Sequence, residues 1–247
     1  MKSKLLSIKK KQSGRDSKGH VSVRHRGGEH KRYIRLVDWQ RGKIDNVATV
    51  TAIEYDPNRT ADLAYLTYSD GSKSYILATA NMKIGDKVVY SVTAPIKEGN
   101  KLPLSQIPVG MAIHNLEFRP GSKAQLVKSA GSAAYIQSID GDKVTIKLPS
   151  GELRIFSALC TATIGQLGNA DHFNQKMTKA GDSRHRGIRP SVRGVAQNPH
   201  SHPHGGGEGR SSIGMNPKTP WGKPAMGKKT RKRKNKSNRL IIKHRSK

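Results

Sequence analysis

Aromatic side chains are scarce: three Phe, two Trp and seven Tyr among 247 residues. A core built from so few rings must be small and aliphatic. Cysteine is nearly absent. Cys160 stands alone, so no internal disulfide is available and a reducing compartment is expected. No apolar run approaches the ~18 residues that a membrane helix needs. The opening segment, Met1 to Lys10, is basic but lacks a long apolar region and a small-residue cleavage site, so no secretory signal is expected. Acidic residues are also few: 17 Asp plus Glu stand against 46 Lys plus Arg, a net charge of +29. That excess goes beyond what solubility requires. It points to a polyanionic partner, nucleic acid before an anionic membrane.

The positive charge is unevenly spread. Residues 1–32 hold eleven basic and two acidic side chains, and residues 181–247 hold eighteen and two. Residues 33–180 hold seventeen and thirteen. A nearly neutral middle is therefore flanked by two strongly basic arms. The first arm has no hydrophobic periodicity and is expected to be disordered alone. In it, Arg24-His25-Arg26 beside Gly27-Gly28 has the makings of a phosphate clamp, two guanidiniums next to exposed backbone N–H groups. The plainer alternative is a solvated basic leader.

From Tyr33 the pattern turns to short strands. Residues 33–39, 47–55, 63–68, 74–78 and 87–92 are read as five strands, with turns at Asp56-Pro57-Asn58-Arg59, Asp70-Gly71 and Gly85-Asp86. No convincing amphipathic helix interrupts them, and a small OB-type barrel is the economical arrangement. Residues 95–108, with Pro95, Gly99, Pro103 and Pro108, read as a linker. Strands at 109–118, 134–139, 143–148 and 152–156 follow, turning at Arg119-Pro120-Gly121, Asp140-Gly141-Asp142 and Ser150-Gly151, and fit an SH3-like barrel. One or two helical turns are expected between Asp171 and Lys179. The fold class is thus mainly β: a basic extension at 1–32, an OB-fold domain at 33–94, a linker at 95–108, an SH3-like domain at 109–180 and a basic Gly/His/Arg-rich extension at 181–247.

The last extension centres on His202-Pro203-His204-Gly205-Gly206-Gly207-Glu208-Gly209-Arg210. It has almost nothing apolar to bury. Its glycines permit close backbone approach and positive φ, read here as approach to an external partner. Arg184, Arg186, Arg189 and Arg193 precede it; Trp221 and the cluster containing Lys228, Lys229 and Arg231 follow. Enzymatic readings fare worse. The glycine run lacks the Lys and the preceding apolar strand of a phosphate-binding loop, and no Gly-x-Ser-x-Gly elbow occurs. His200, His202 and His204 alternate in a Gly/Pro-rich loop, which fixes no metal geometry. A metal-dependent hydrolase is therefore a poor alternative, and a DNA-coating protein is the runner-up. His114, His172 and Cys160 are read as structural, Cys160 as a small buried hydrophobe. Two small barrels with basic arms suit RNA, whose phosphates and unstacked bases lie in crevices that extended peptides can enter.

Several stretches together resemble a known family. They are Arg24 to Gly28 with His30-Lys31, Glu54 to Arg59, Tyr75 to Ala78, Ile107 to Gly110, Ser129 to Gly131, Gly165 to Ala170, Arg186-Gly187, Arg189-Pro190, Val192 to Gly194, His202 to Arg210, Thr219 to Gly222, Gly227 to Arg231 and Arg245-Ser246-Lys247. They resemble the universal large-subunit ribosomal protein two family in its bacterial or organellar form, over about residues 10–247. The resemblance implies an OB-fold barrel, then an SH3-like barrel, with both extensions threaded into large-subunit rRNA. It implies no catalytic residue, no cofactor beyond Mg2+ held by the rRNA, and neither metal site nor membrane. The implied partners are large-subunit rRNA, neighbouring large-subunit proteins and the small subunit at an intersubunit bridge. The implied place is the ribosome of the cytoplasm, or of an organellar matrix. RNA-binding residues are expected at Arg24, His25, Arg26, Gly27, Gly28, His30, Lys31, Arg59, Arg184, Arg186, Arg189, Arg193, His202, His204, Gly205, Gly206, Gly207, Arg210, Trp221, Lys228, Lys229 and Arg231. His202 holds the family position associated with peptidyl transfer, expected here to support the RNA. The chain departs from the family in three places. The first arm is shorter than the usual bacterial form by a few tens of residues, His200-Ser201 stand where Val-Asp is usual, and His185 stands where Trp is common.

Overall fold

The computed structural model describes residues 2–245. Ser246 and Lys247, the end of the last matching stretch, lie outside the described residues. Six strands make up the first part of the β architecture: β1 (Leu6–Ile8), β2 (Tyr33–Arg35), β3 (Ala48–Glu54), β4 (Leu63–Tyr68), β5 (Lys73–Leu77) and β6 (Lys87–Val88). The last four pair antiparallel in the order β5-β4-β3-β6, a curled half-barrel of OB type. Alternation along β4 explains its double burial. Ala64, Leu66 and Tyr68 face one apolar cluster with Val50 and Ile76, while Leu63 and Tyr65 face another with Tyr75 and Leu77. The β4–β5 hairpin closes at Asp70-Gly71. Gly71 adopts φ 75°, and an Asp70 carboxylate oxygen accepts the Ser72 N–H at 2.9 Å. The strand expected at 87–92 is only two residues long.

The second part holds β7 (Lys101–Pro103), β8 (Ala112–His114), β9 (Leu116–Glu117), β10 (Ala124–Leu126), β11 (Ala134–Asp140), β12 (Lys143–Lys147), β13 (Leu153–Ser157) and β14 (Thr161–Ile164), joined by β15 (Ile241–Lys243) from the far end of the chain. Seven of these form one sheet, β15-β13-β12-β11-β8-β14-β7, with the SH3-like core on it. That core is aliphatic, as the shortage of aromatics requires. Leu102, Leu104, Ile107, Ile113, Leu116, Ile136, Val144, Ile146 and Ile164 are its fully buried branched members, and Phe156 is its one buried ring. Each large side chain so buried contributes about 1.5–3 kcal/mol. Three of these, Leu102, Leu104 and Ile107, come from the proline-rich stretch read as a linker. Their apolar side chains pull it into the sheet, where Lys101–Pro103 pairs with β14.

The two barrels are joined by backbone and by a buried lysine whose charge is paired within the second. Gly168 N–H donates to the Ala78 carbonyl at 3.1 Å, and Leu167 enters the OB cluster of Tyr65 and Tyr75. Lys101, 1% exposed, places Nζ 3.2 Å from Glu117 Oε1 and donates to the Gln40 carbonyl at 2.8 Å. Glu117 Oε2 accepts the Thr161 N–H at 3.1 Å. Both charges are therefore compensated, as burial demands. Cys160 is buried in the same core, and burial pushes its thiol up to about 11, out of the reactive range.

The chain divides into two compact units. Both barrels belong to the first, with residues 1–9 and 236–247. The second consists of Lys10–His30 and Met177–Asn235, most of both basic arms. It holds one short helix, α1 (Ala180–His185), whose first turn is closed by the Asp182 carboxylate accepting the Lys179 N–H at 3.2 Å.

Candidate nucleic-acid interface

The second unit is held by backbone hydrogen bonds rather than by an apolar core. The first arm, expected to lack order alone, folds on itself and on the second arm. Asp16 Oδ1 accepts the N–H groups of Lys18 and His20, both at 2.9 Å. The Gly14 carbonyl accepts those of Ser22 and Val23. Residues 25–30 then run against 185–189. Gly27 N–H donates to the Gly187 carbonyl at 2.9 Å, His30 N–H to that of His185 at 3.1 Å, and Arg189 N–H to that of His25 at 3.0 Å. Arg26 and Ile188 form an antiparallel bridge. Two segments far apart in sequence thus meet, so Arg24, Arg26, Arg186 and Arg189 share one site. All four are exposed. The Arg24 guanidinium lies 5.9 Å from the centroid of the exposed Trp221 ring. His185, where the family commonly has Trp, makes an edge contact with His30 at 4.2 Å between ring centroids.

The glycine loop closes over its own chain. Asn198 carbonyl accepts the N–H groups of Ser201 and His202, His202 carbonyl accepts that of Gly205, and Gln197 carbonyl that of Gly206. His202 is buried. Its ring fills the space at Gly194, where a Cβ would stand 2.6 Å from Cε1. His202 Nδ1 accepts the His204 N–H at 3.0 Å, and His204 Nε2 accepts the Lys218 N–H at 2.9 Å. Accepting nitrogens carry no proton, so His202 is protonated on Nε2 and His204 on Nδ1. The orientation of His202 is thus set by Gly194 and by backbone N–H, without an acid in place of Ser201. The close approach read from Gly205, Gly206 and Gly207 is also largely internal. A Cβ at Gly205 would stand 2.3 Å from the Asn198 carbonyl oxygen, at Gly206 2.6 Å from Pro199, and at Gly207 2.2 Å from Ser211 Oγ. Only Gly209, with φ 62° and nothing within 4 Å, keeps open space.

The remaining expected residues divide simply. Arg193, Arg210, Lys228, Lys229 and Arg231 are exposed in the second unit. Arg184 is half-buried, with its Nη1 lacking an acceptor. Lys31 and Arg59 belong to the first unit. Arg59 ion-pairs with Asp56 at 3.3 Å and stacks 4.7 Å from the Trp39 ring centroid. Lys128 sits 4.5 Å from the same centroid, its pKa lowered by burial and by Arg59. Tyr55, 69% exposed, belongs to the same strand-to-turn segment as Arg59. Lys128 and Trp39 went unread because each is an ordinary residue until the fold brings them together. His114 is structural: it is 1% exposed, and its ring nitrogen Nδ1 lies 2.8 Å from the Gly165 carbonyl.

This geometry has a counterpart among known proteins. The family model described as Ribosomal Proteins L2, RNA binding N-terminal domain, matches residues 2–90. That described as Ribosomal Proteins L2, C-terminal domain, matches residues 97–222. The chain belongs to the ribosomal protein L2 family. It is therefore a ribosomal protein of the large subunit, mainly β, that binds RNA in translation, and the family is one of structural proteins. The L2 matches cover both barrels and run on through Trp221, so they include the glycine loop. Among the described residues no helix is long and apolar enough to cross a membrane.

Proposed function

We propose that this L2 chain binds large-subunit rRNA chiefly through its second unit. The observation that carries this reading is the pairing of residues 25–30 with 185–189. It gathers the basic side chains of both arms into one body with twenty basic and four acidic residues, a net +16. Charge at that density on hydrogen-bonded loops suits a folded polyanion, and releases its counterions on binding. In this reading Arg24, Arg26, Arg186, Arg189, Arg193, Arg210, Lys228, Lys229 and Arg231 contact phosphates. Trp221, with Arg24 beside it, offers an exposed face to a base. His25, Gly27, Gly28, His30, His204, Gly205, Gly206 and Gly207 shape the backbone that approaches the RNA, and the half-buried Arg184 adds its charge beside them. Lys31 and the Arg59, Lys128 and Trp39 cluster form a second contact on the OB barrel. His202, buried and held, supports RNA around the peptidyl transferase centre by fixing the loop rather than by acting on substrate. The chain is read as non-enzymatic, with Mg2+ held by rRNA as the associated ion. It serves subunit assembly and association, beside neighbouring large-subunit proteins and at a bridge to the small subunit, in cytoplasmic ribosomes or those of an organellar matrix.

Sedimentation of cell extract in high salt tests the reading. The chain is expected to remain with the large particle in salt that strips loosely bound basic proteins. Release into the supernatant, with salt-labile and length-dependent binding to any duplex DNA, would instead describe a coat protein.

A further inference from the structure

Among the described residues, one buried cation in the OB barrel has no anion. Arg41 is 4% exposed and adopts φ 50°. Its backbone N–H donates to Asp38 Oδ1 at 2.7 Å, and Nη1 donates to the Gly99 carbonyl at 2.6 Å. Its Nε is buried without an acceptor. Among the described residues no carboxylate stands within ion-pair distance of this guanidinium. Asp38 acts on it only through its field, and its Oδ1 already takes two backbone N–H groups. Lys101 and Glu117, the other buried charges nearby, compensate each other. Burial accordingly lowers the Arg41 pKa to about 10, against the fields of Tyr68 and Asp38.

Arg41 lines a narrow cleft, open to solvent and with a cavity volume of about 10 Å³, room for about one oxygen atom, together with Lys43, Asn46, Tyr68 and Tyr90. Lys43 is neutralised by Asp70 and lies 5.0 Å from the Tyr68 ring centroid. Asn46 Oδ1 accepts the Ser69 hydroxyl at 2.7 Å, which leaves its amide NH2 without a partner. A buried, unpaired cation costs far more than one given an anion. The cleft thus combines an unmet demand for negative charge with an opening to solvent. We propose that it binds one phosphate oxyanion, supplied by the backbone of a single-stranded rRNA segment. One oxygen enters toward the Arg41 guanidinium, where a charge-assisted hydrogen bond forms, while sugar and base stay at the mouth. The phosphate source rests on the rRNA reading above; the anion site itself does not.

Full-length protein, 15N-labelled at arginine, is titrated with inorganic phosphate and, separately, with a seven-residue uridine RNA. The Arg41 Nε–Hε resonance, identified by its loss in Arg41→Lys, is expected to shift saturably with both. It should shift at about tenfold lower RNA concentration, because neighbouring phosphates add attraction. Asn46→Ala, at a half-exposed position, should weaken the RNA response of Arg41 severalfold and keeps the test open if Arg41→Lys fails to fold. A shift with phosphate alone would mark a free-anion site and overturn the RNA source. No Arg41 shift, while other arginines respond to RNA, would overturn the cleft and leave the rRNA reading standing. RNA that moves no arginine at all would overturn the rRNA reading itself.

Discussion

Gly205 and Gly209 stand four residues apart in one loop and are glycines for different reasons. At Gly205 a Cβ would press on the Asn198 and Gln197 carbonyls; at Gly209 space is open and only the left-handed φ selects glycine. Gly205→Ala is expected to destabilise the loop by about 1–3 kcal/mol, read as faster amide exchange across 194–206. Gly209→Asn, which tolerates that φ, should leave exchange unchanged. Equal exchange in both variants would contradict the distinction. That the loop needs glycine was legible from its composition. That most of the close approach is to Asn198, Pro199 and Ser211 was not, because nothing local in the sequence says what fills the space. His114 carries a second residue-scale prediction. Burial, partly offset by the Gly165 carbonyl, lowers its pKa to about 4, while the unfolded chain titrates near 6.5. The unfolded state therefore takes up the proton first, so the stability due to neutral His114 is full above about pH 6.5 and is lost as pH falls toward 4. The loss is expected to reach about 3 kcal/mol. Replacement by Asn, which keeps a donor toward Gly165, should flatten that part of the curve in urea titrations at pH 7 and pH 4.5. An unchanged slope would mean that other groups set the acid limb.

At the scale of elements, legibility followed local pattern. The β4–β5 hairpin was readable from alternation around Asp70-Gly71, and β11–β12 from alternation around Asp140-Gly141-Asp142. β14 was missed although Thr161-Ala162-Thr163-Ile164 alternates, because four residues are too few to carry the pattern. β1 and β15 are three residues long, sit in basic flanks, and find their partners only through the fold. Short as it is, β15 pairs with β13 and covers an edge that β13 would otherwise leave open. Deleting residues 236–247 should expose that edge and promote self-association. Exchange at Leu153–Ser157 should rise, and light scattering should show species larger than the monomer. A truncated chain that stays monomeric with protected β13 amides would show the edge needs no cover.

For the whole molecule, the charge distribution was the part most open to reading, since two basic arms around a neutral middle are visible in composition alone. Their junction was not, because the bonds between 25–30 and 185–189 are made by backbone groups that any sequence carries. Removing residues 10–30 therefore tests more than charge. If the first arm only adds cations, RNA affinity should fall in proportion to its six basic residues. If it also positions the second arm, amide exchange at Gly187 and Arg189 should rise as well, and affinity should fall further. The second outcome is expected. The most direct test of rRNA binding by the paired arms is crosslinking in intact cells, with sequencing of the RNA attached to the peptide spanning residues 198–222. Sequences concentrated in large-subunit rRNA around the peptidyl transferase region are expected. Sequences scattered over many RNAs, or recovered mainly as DNA, would contradict it and mark the second unit as a general polyanion coat.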